Sequence, residues 1–200
     1  MVEIVTIGVV SIQGAVSEHI ASVNRVFKKN NIQGNVKLVK QKKDIDGIDA
    51  IIIPGGESTT ISRILFKSGI NDAITKRIKQ DTFNIMGTCA GCVLLAKEIV
   101  GKNNDILLLY AMDMKVERNA FGRQKESFEK CIQIKGLSKP YNAVFIRAPI
   151  IKKVWGNCEI IGEINKKIIA ARQDNFLALS FHPELTNDIR IHEYFLNMII

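Results

Sequence analysis

Phe83-Asn84-Ile85-Met86-Gly87-Thr88-Cys89-Ala90-Gly91 is the stretch on which the fold turns. An apolar run of strand length enters Gly-x-Cys-x-Gly, and residues 90–99 beyond it carry the apolar spacing of a helix. Small residues at Gly87, Ala90 and Gly91 permit a sharp strand-to-helix turn that lifts one side chain out of a sheet, the cysteine form of a nucleophile elbow. The free N–H groups and dipole of a helix start favour an anion at such a position. A lone thiol is more commonly buried and inert. The flanking glycines and the strand-to-helix context point instead to a nucleophile.

Working outward, residues 4–10 and 50–53 are continuous apolar runs, each closed by turn residues, as in strands buried on both faces. Between them Val16, Ile20, Val23 and Phe27 recur at helical spacing up to Asn30-Asn31, which stop the helix, and residues 36–39 read as a strand. Short helices are expected around residues 61–65 and over 71–80. Strand alternating with helix, with buried strands, is the signature of a parallel sheet covered on both sides. The second half changes rhythm. Residues 105–134 alternate, and residues 159–164, 167–172 and 176–181 read as successive strands, the first two joined by a hairpin turn at Asn165-Lys166. A last helix is expected over 187–200. The whole chain, 1–200, reads as one α/β domain of three layers, a mixed and mostly parallel sheet flanked by helices.

Composition removes other classes. With 46% hydrophobic residues, 14 Gly and 4 Pro in 200 residues, the chain is neither disordered nor collagen-like. Four Cys do not make a disulfide scaffold, so free thiols and a cytoplasmic setting are expected. The first residues lack a basic start and a long greasy run, and no window resembles a membrane helix. Twenty-eight basic against 20 acidic residues give a net charge of +8. The densest basic stretch, residues 37–43, alternates with Leu38 and Val39 and meets Asp44 and Asp46, which suits a solvated strand edge better than an RNA patch.

A cysteine nucleophile needs an imidazole and a group to orient it. Of three His, His19 and His192 fall inside helical patterns and are read as surface residues. His182 breaks out at the end of a buried strand in Phe181-His182-Pro183-Glu184, where open α/β sheets place their sites. Two-residue spacing in extended chain sends His182 and Glu184 to the same side, so the carboxylate is placed to hold the ring. Pro54-Gly55-Gly56-Glu57-Ser58-Thr59-Thr60 is no phosphate-binding loop, since the Lys and following Ser or Thr are missing. Its backbone N–H at Gly56, with that of Ala90, suits an oxyanion hole for thioester chemistry.

These segments, with Gly8-Val9-Val10-Ser11-Ile12-Gln13-Gly14-Ala15-Val16, Glu117-Arg118-Asn119-Ala120-Phe121-Gly122-Arg123-Gln124, Val144-Phe145-Ile146-Arg147-Ala148-Pro149 and Phe181-His182-Pro183-Glu184-Leu185-Thr186, span the chain in order. Together they resemble the glutaminase subunits of pyridoxal 5′-phosphate synthase, which are triad-type class I glutamine amidotransferases with a flavodoxin-like fold. The resemblance implies Cys89 as nucleophile, His182 as general base and then acid, and Glu184 as its orienter. It also implies L-glutamine contacts at Gly56, Glu57, Ser58, Arg118, Ile146 and Arg147. Which of Arg118, Arg147 and Glu57 meets the α-carboxylate and which the α-ammonium stays open. Expected partners are glutamine and a synthase subunit, a barrel-fold ring that receives the ammonia; no cofactor, metal, nucleic acid or membrane is expected. Gln13-Gly14, beside the site, is the candidate sensor of that partner.

Cys92 departs from the family, which usually has a larger apolar residue there. Cys89-x-x-Cys92 admits a thiol oxidoreductase as a rival reading, and an amidotransferase of another pathway, such as histidine biosynthesis, is the nearer one. Neither zinc spacing nor a second pair supports a metal. Cys92 is expected to pack inward with Leu95 and Ala96. The three-residue spacing also raises the expectation that oxidation links Cys89 to Cys92 and switches the enzyme off.

Overall fold

Residues 4–80, 83–101, 105–120 and 127–200 are described by a computed structural model. The chain runs β1 (Val5–Val10), α1 (Val16–Asn30), β2 (Gly34–Val39), a 3₁₀ turn at Lys42–Ile45, β3 (Ala50–Ile53), α2 (Ser58–Lys67), α3 (Ile70–Lys79), β4 (Asn84–Thr88), α4 (Ala90–Leu95) and β5 (Ala96–Ile99). It continues through β6 (Met112–Glu117), β7 (Phe128–Ile132), β8 (Tyr141–Phe145), β9 (Ile150–Val154), β10 (Glu159–Ile164), β11 (Lys167–Gln173), β12 (Phe176–Leu179), a 3₁₀ turn at Pro183–Leu185 and α5 (Arg190–Leu196).

β1 and β3 explain the layers. Val5, Ile7, Val9, Ala50 and Ile52 join one core with Val23, Val26 and Phe27 of α1, Tyr141 and Phe145 of β8, and Ile191 and Phe195 of α5. Val10, Ile51 and Ile53 join the opposite core with Ile61 and Leu65 of α2, Ile70 and Ile74 of α3, and Val93 to Leu95 of α4. Alternate side chains thus feed two cores, which is why both strands are apolar almost throughout, with Thr6 of β1 the polar exception.

The main sheet has ten strands in the order β2-β1-β3-β4-β12-β11-β9-β6-β5, with β10 beside β11, while β7 and β8 form a separate hairpin ladder. From β2 to β12 the pairing is parallel, and from β12 through β11, β9 and β6 it is antiparallel. Register then sets the site. Ile53 of β3 lies opposite Gly87 of β4, and Thr88 of β4 opposite Leu179 of β12. Three neighbouring strands therefore end at one edge, and they release the Pro54 loop, Cys89 and the His182 turn side by side.

Several expectations hold in detail. Asn31 ends α1 in the left-handed conformation, its N–H bonded to the Phe27 carbonyl. Asn165 and Lys166, at φ 49° and 62°, make the tight β10–β11 turn that needs two positive φ angles. The basic stretch is indeed an edge strand, β2, followed by a turn. Two helices are shorter than their spacing suggested. The helix expected over 90–99 stops at Leu95, because Ala96–Ile99 is drawn into the sheet beside β6, where Lys97 meets Asp113 and Lys115 meets Glu98 across the strands. The last helix occupies only Arg190–Leu196 of the expected 187–200.

Among the described residues no helix is long and apolar enough to cross a membrane, and no cluster of His, Cys, Asp and Glu could hold a metal. Phe121-Gly122-Arg123-Gln124 of the quoted motif lies outside the described residues.

Candidate active site

Cys89 stands between β4 and α4 at φ 49° and ψ −101°, a region that side chains other than glycine rarely occupy. Neighbouring backbone holds it there. Its N–H donates to the Leu179 carbonyl of β12 at 2.8 Å, and its carbonyl accepts from Val93 at 3.3 Å. The elbow closes tightly over β3: a Cβ built on Gly91 would lie 2.1 Å from the Ile53 carbonyl oxygen, so no larger residue fits. Strain held by surrounding structure marks a functional position.

β12 ends opposite the elbow, and three residues beyond it stands His182. Its backbone N–H is tied to the Val144 carbonyl of β8 at 2.8 Å, and its side chain meets Cys89 on one side and Glu184 on the other. Nδ1 of His182 lies 2.8 Å from Oε1 of Glu184, whose side chain is wholly buried. Burial pulls the imidazole toward its neutral form, but the hydrogen bonds and charges of Cys89 and Glu184 outweigh it and raise the ring to about 10. The ring therefore carries a second proton at neutral pH. The Cys89 thiol also points at the Ile146 carbonyl, 3.8 Å away.

Tyr141, fully buried on β8, secures the His-Pro-Glu turn from beneath. Its hydroxyl lies 3.3 Å from the Pro183 carbonyl, 3.2 Å from that of Asp188 and 3.0 Å from the Thr186 hydroxyl.

A cavity of about 500 Å³ opens over the thiol, lined among others by Gly56, Glu57, Ser58, Ala90, Arg118 and Arg147. All the residues that the sequence proposed for the site line this cavity except Glu184, which stands behind His182. Ala90 opens α4, so its N–H is among the first-turn donors without an intrahelical acceptor. Glu57 caps α2, accepting from the N–H groups of Thr59 and Thr60 at 3.1 and 2.7 Å, and receives Arg118 Nη2 at 3.2 Å. Partial burial works against the Glu57 carboxylate, yet these backbone donors hold it down at about 2, so it is an anion at neutral pH. Gln13 grips the same loop, its Oε1 accepting from the Glu57 N–H at 2.9 Å. Arg147 sits at φ 46°, a second strained backbone facing the cavity.

Two readings need correction. His19 and His192 are not surface residues: they are 0% and 2% exposed and lie behind Glu184. The signal was in the sequence, since His19 precedes Val23 by four and Val26 by seven residues, all on one helical stripe that is buried. Cys92, as expected, packs into the core with Leu95 and Ala96, and burial pushes its thiol well up. That removes the thiolate on which disulfide exchange depends and disfavours the Cys89–Cys92 linkage. The four cysteines are unpaired, with only Cys131 exposed.

Known proteins resemble this chain over nearly its whole length. A protein of Pyrococcus furiosus named pyridoxal 5′-phosphate synthase subunit PdxT is 44% identical over 197 residues, covering 98% of this chain and all of its own. The protein of that name from Methanococcoides burtonii is 47% identical over 196 residues, covering 96% and 98%. A crystal structure titled as a glutamine amidotransferase superposes with a TM-score of 0.86 at 41% identity, over 96% of this chain and 98% of that one. Residues 9–200 match the model of the SNO glutamine amidotransferase family, and with relatives this similar over nearly their full length, the chain belongs to that family.

Proposed function

We propose that this chain is the glutaminase subunit of a pyridoxal 5′-phosphate synthase, the role in the names of its relatives. The observation that carries the reading is the line of Cys89, His182 and Glu184, buried at the ends of β4 and β12 with the nucleophile held in a strained elbow. Glutamine enters the cavity with its α-carboxylate and α-ammonium toward Arg118, Arg147 and Glu57, and Ser58 and the Ile146-Arg147 backbone complete the fit. The Cys89 thiolate adds to the side-chain amide carbon, and the resulting oxyanion is received by the N–H groups of Ala90 and Gly56. His182 gives its Nε2 proton to the departing nitrogen, which leaves as ammonia, while sulfur keeps the γ-glutamyl group as a thioester. The ring, now neutral, takes a proton from water as that water attacks the thioester. Glutamate leaves, and the thiolate beside the protonated ring is restored. Glu184 stabilises the imidazolium whenever it forms.

Free ammonia would be protonated in water and lose its nucleophilicity, so a synthase subunit, a barrel-fold ring, takes it directly. Unpaired thiols suit a cytoplasmic setting for the pair. The test is glutamate release from glutamine, with and without the co-expressed synthase subunit, for the native chain and Cys89→Ala. Release by the native complex and none by the variant is expected. Equal release by both, or recovery of the chain with a different synthase only, overturns the reading.

A further inference from the structure

Behind the Cys89–His182–Glu184 line lie two buried imidazoles that the reaction above does not use. His19 of α1 places Nδ1 3.0 Å from Nε2 of His192 on α5, and the rings meet edge to face with centroids 5.2 Å apart. Its other nitrogen, Nε2, lies 3.3 Å from Oε2 of Glu184 and 3.3 Å from Oγ1 of Thr88, the residue before the nucleophile. Among the described residues that Glu184 oxygen has no hydrogen-bond partner, its approach to His19 being one of distance and not of hydrogen-bond geometry, and Nδ1 of His192 has none either. A buried carboxylate oxygen without a donor is costly, and one ring nitrogen stands beside it.

These distances fix the protons. Were Nε2 of His19 bare, its lone pair would face a carboxylate at 3.3 Å and repel it. The proton is therefore placed on Nε2, hydrogen-bonded to Thr88 with its positive end beside Glu184, which leaves Nδ1 as an acceptor. His192 must then donate from Nε2, and the bare nitrogen of that ring is its unpartnered Nδ1. Both rings stay neutral: burial drives His19 far down, helped by the charges of His192 and His182, and drives His192 to about 3, helped by Arg25.

We propose that His19 is a positioning residue for the glutaminase reaction: its Nε2–H, 3.3 Å from the outer oxygen of Glu184, faces that oxygen with its positive end, so that the inner oxygen stays aimed at His182, and His192 fixes the tautomer of His19 from behind. The line is then five residues long, from the Cys89 sulfur to α5. The ionisable groups around Glu184 are His182 and Cys89 toward the cavity, His19 and Arg25 from α1, His192 from α5 and Tyr141 from β8. Among the described residues His19 alone comes within ion-pair distance of the outer oxygen. Without it the inner oxygen is held on His182 less firmly, and the imidazolium that must form in each half of the reaction is less well supported.

The rate measurements rest on the glutaminase reading, and the test has an arm that does not. Partner-stimulated glutamate release is followed against glutamine concentration for the native chain, His19→Leu and His19→Gln, each in complex with the synthase subunit. The Gln amide N–H reaches the place of Nε2. His19→Leu is expected to lower kcat by about tenfold or more, with KM for glutamine unchanged; His19→Gln restores most of the loss. In parallel, nitrogen NMR of the full native chain reads the ring tautomers, and His19 and His192 are both expected as neutral Nε2–H forms throughout the neutral range. An unchanged kcat in a folded His19→Leu, a His19→Gln no better than Leu, or a proton on Nδ1 of His19 overturns the proposal. Should His19→Leu fail to fold, the tautomers and the His19→Gln profile decide. A native complex that releases no glutamate refutes the glutaminase reading instead, and the tautomers then decide alone.

Discussion

Glu184→Gln separates the work of the carboxylate from its part in the fold. The inner oxygen lies 2.8 Å from Nδ1 of His182 in a site closed to water. A hydrogen bond to a charged group contributes about 1.5–3 kcal/mol. In the resting site that bond, with the one from Cys89, raises the ring to about 10. An amide keeps the shape and one acceptor but loses the charge, so the imidazolium that must form in each half of the reaction loses that stabilisation. Turnover is expected to fall by about 10- to 150-fold. Stability should respond in the opposite sense or hardly at all, because the variant no longer buries an anion. A melting temperature within about 4 °C of the native value corresponds to about 1 kcal/mol in a chain of this length. The assay is glutamate release by native and variant chains at saturating synthase subunit, paired with a thermal melt. A folded Glu184→Gln that keeps more than half of native turnover would refute the reasoning.

Tyr141→Phe leaves the Pro183 and Asp188 carbonyls without their buried hydroxyl and is expected to cost about 1–3 kcal/mol, read as a lower melting temperature. Glu57 is held below its ordinary carboxylate range, so the stability it adds is complete above about pH 5 and disappears as pH falls toward about 2. The gap in urea midpoint between the native chain and Glu57→Gln should therefore close on acidification, and a gap that widened would contradict the capping geometry. Cys92→Ala opens a small void in the core and should cost about 1–2 kcal/mol in a denaturant melt while glutaminase turnover stays intact. Loss of turnover there would revive thiol exchange. Gln13→Ala releases the Glu57 N–H and should reduce stimulation by the synthase subunit, and unaltered stimulation would reject Gln13 as its sensor.

How legible all this was depends on how local each signal is. The buried strands announce themselves because both faces of β1 and β3 are filled, and the elbow because Gly91 has no room for a side chain against Ile53. His182 and Glu184 were readable as a pair, although a 3₁₀ turn at Pro183–Leu185, and not the extended chain expected, brings the carboxylate to the ring. Residues 96–99 were not: four residues fit helix spacing as well as strand spacing, and the β5–β6 ion pairs that decide the matter come from distant sequence. The β7–β8 ladder and the support of Tyr141 likewise exist only once the chain has closed on itself. His19 failed differently. Its place on the buried stripe of α1 was visible, but a partner for a buried imidazole comes only with α5 and the His-Pro-Glu turn folded against it.

Covalent capture tests the nucleophile most directly. The full chain, bound to its synthase subunit, is treated with a glutamine analogue bearing a diazoketone in place of the side-chain amide, and the intact mass and peptide map are read. One adduct on Cys89, absent from Cys89→Ala and slowed in His182→Asn, is the expected result. Labelling of Cys131 or another residue with Cys89 left free would contradict it.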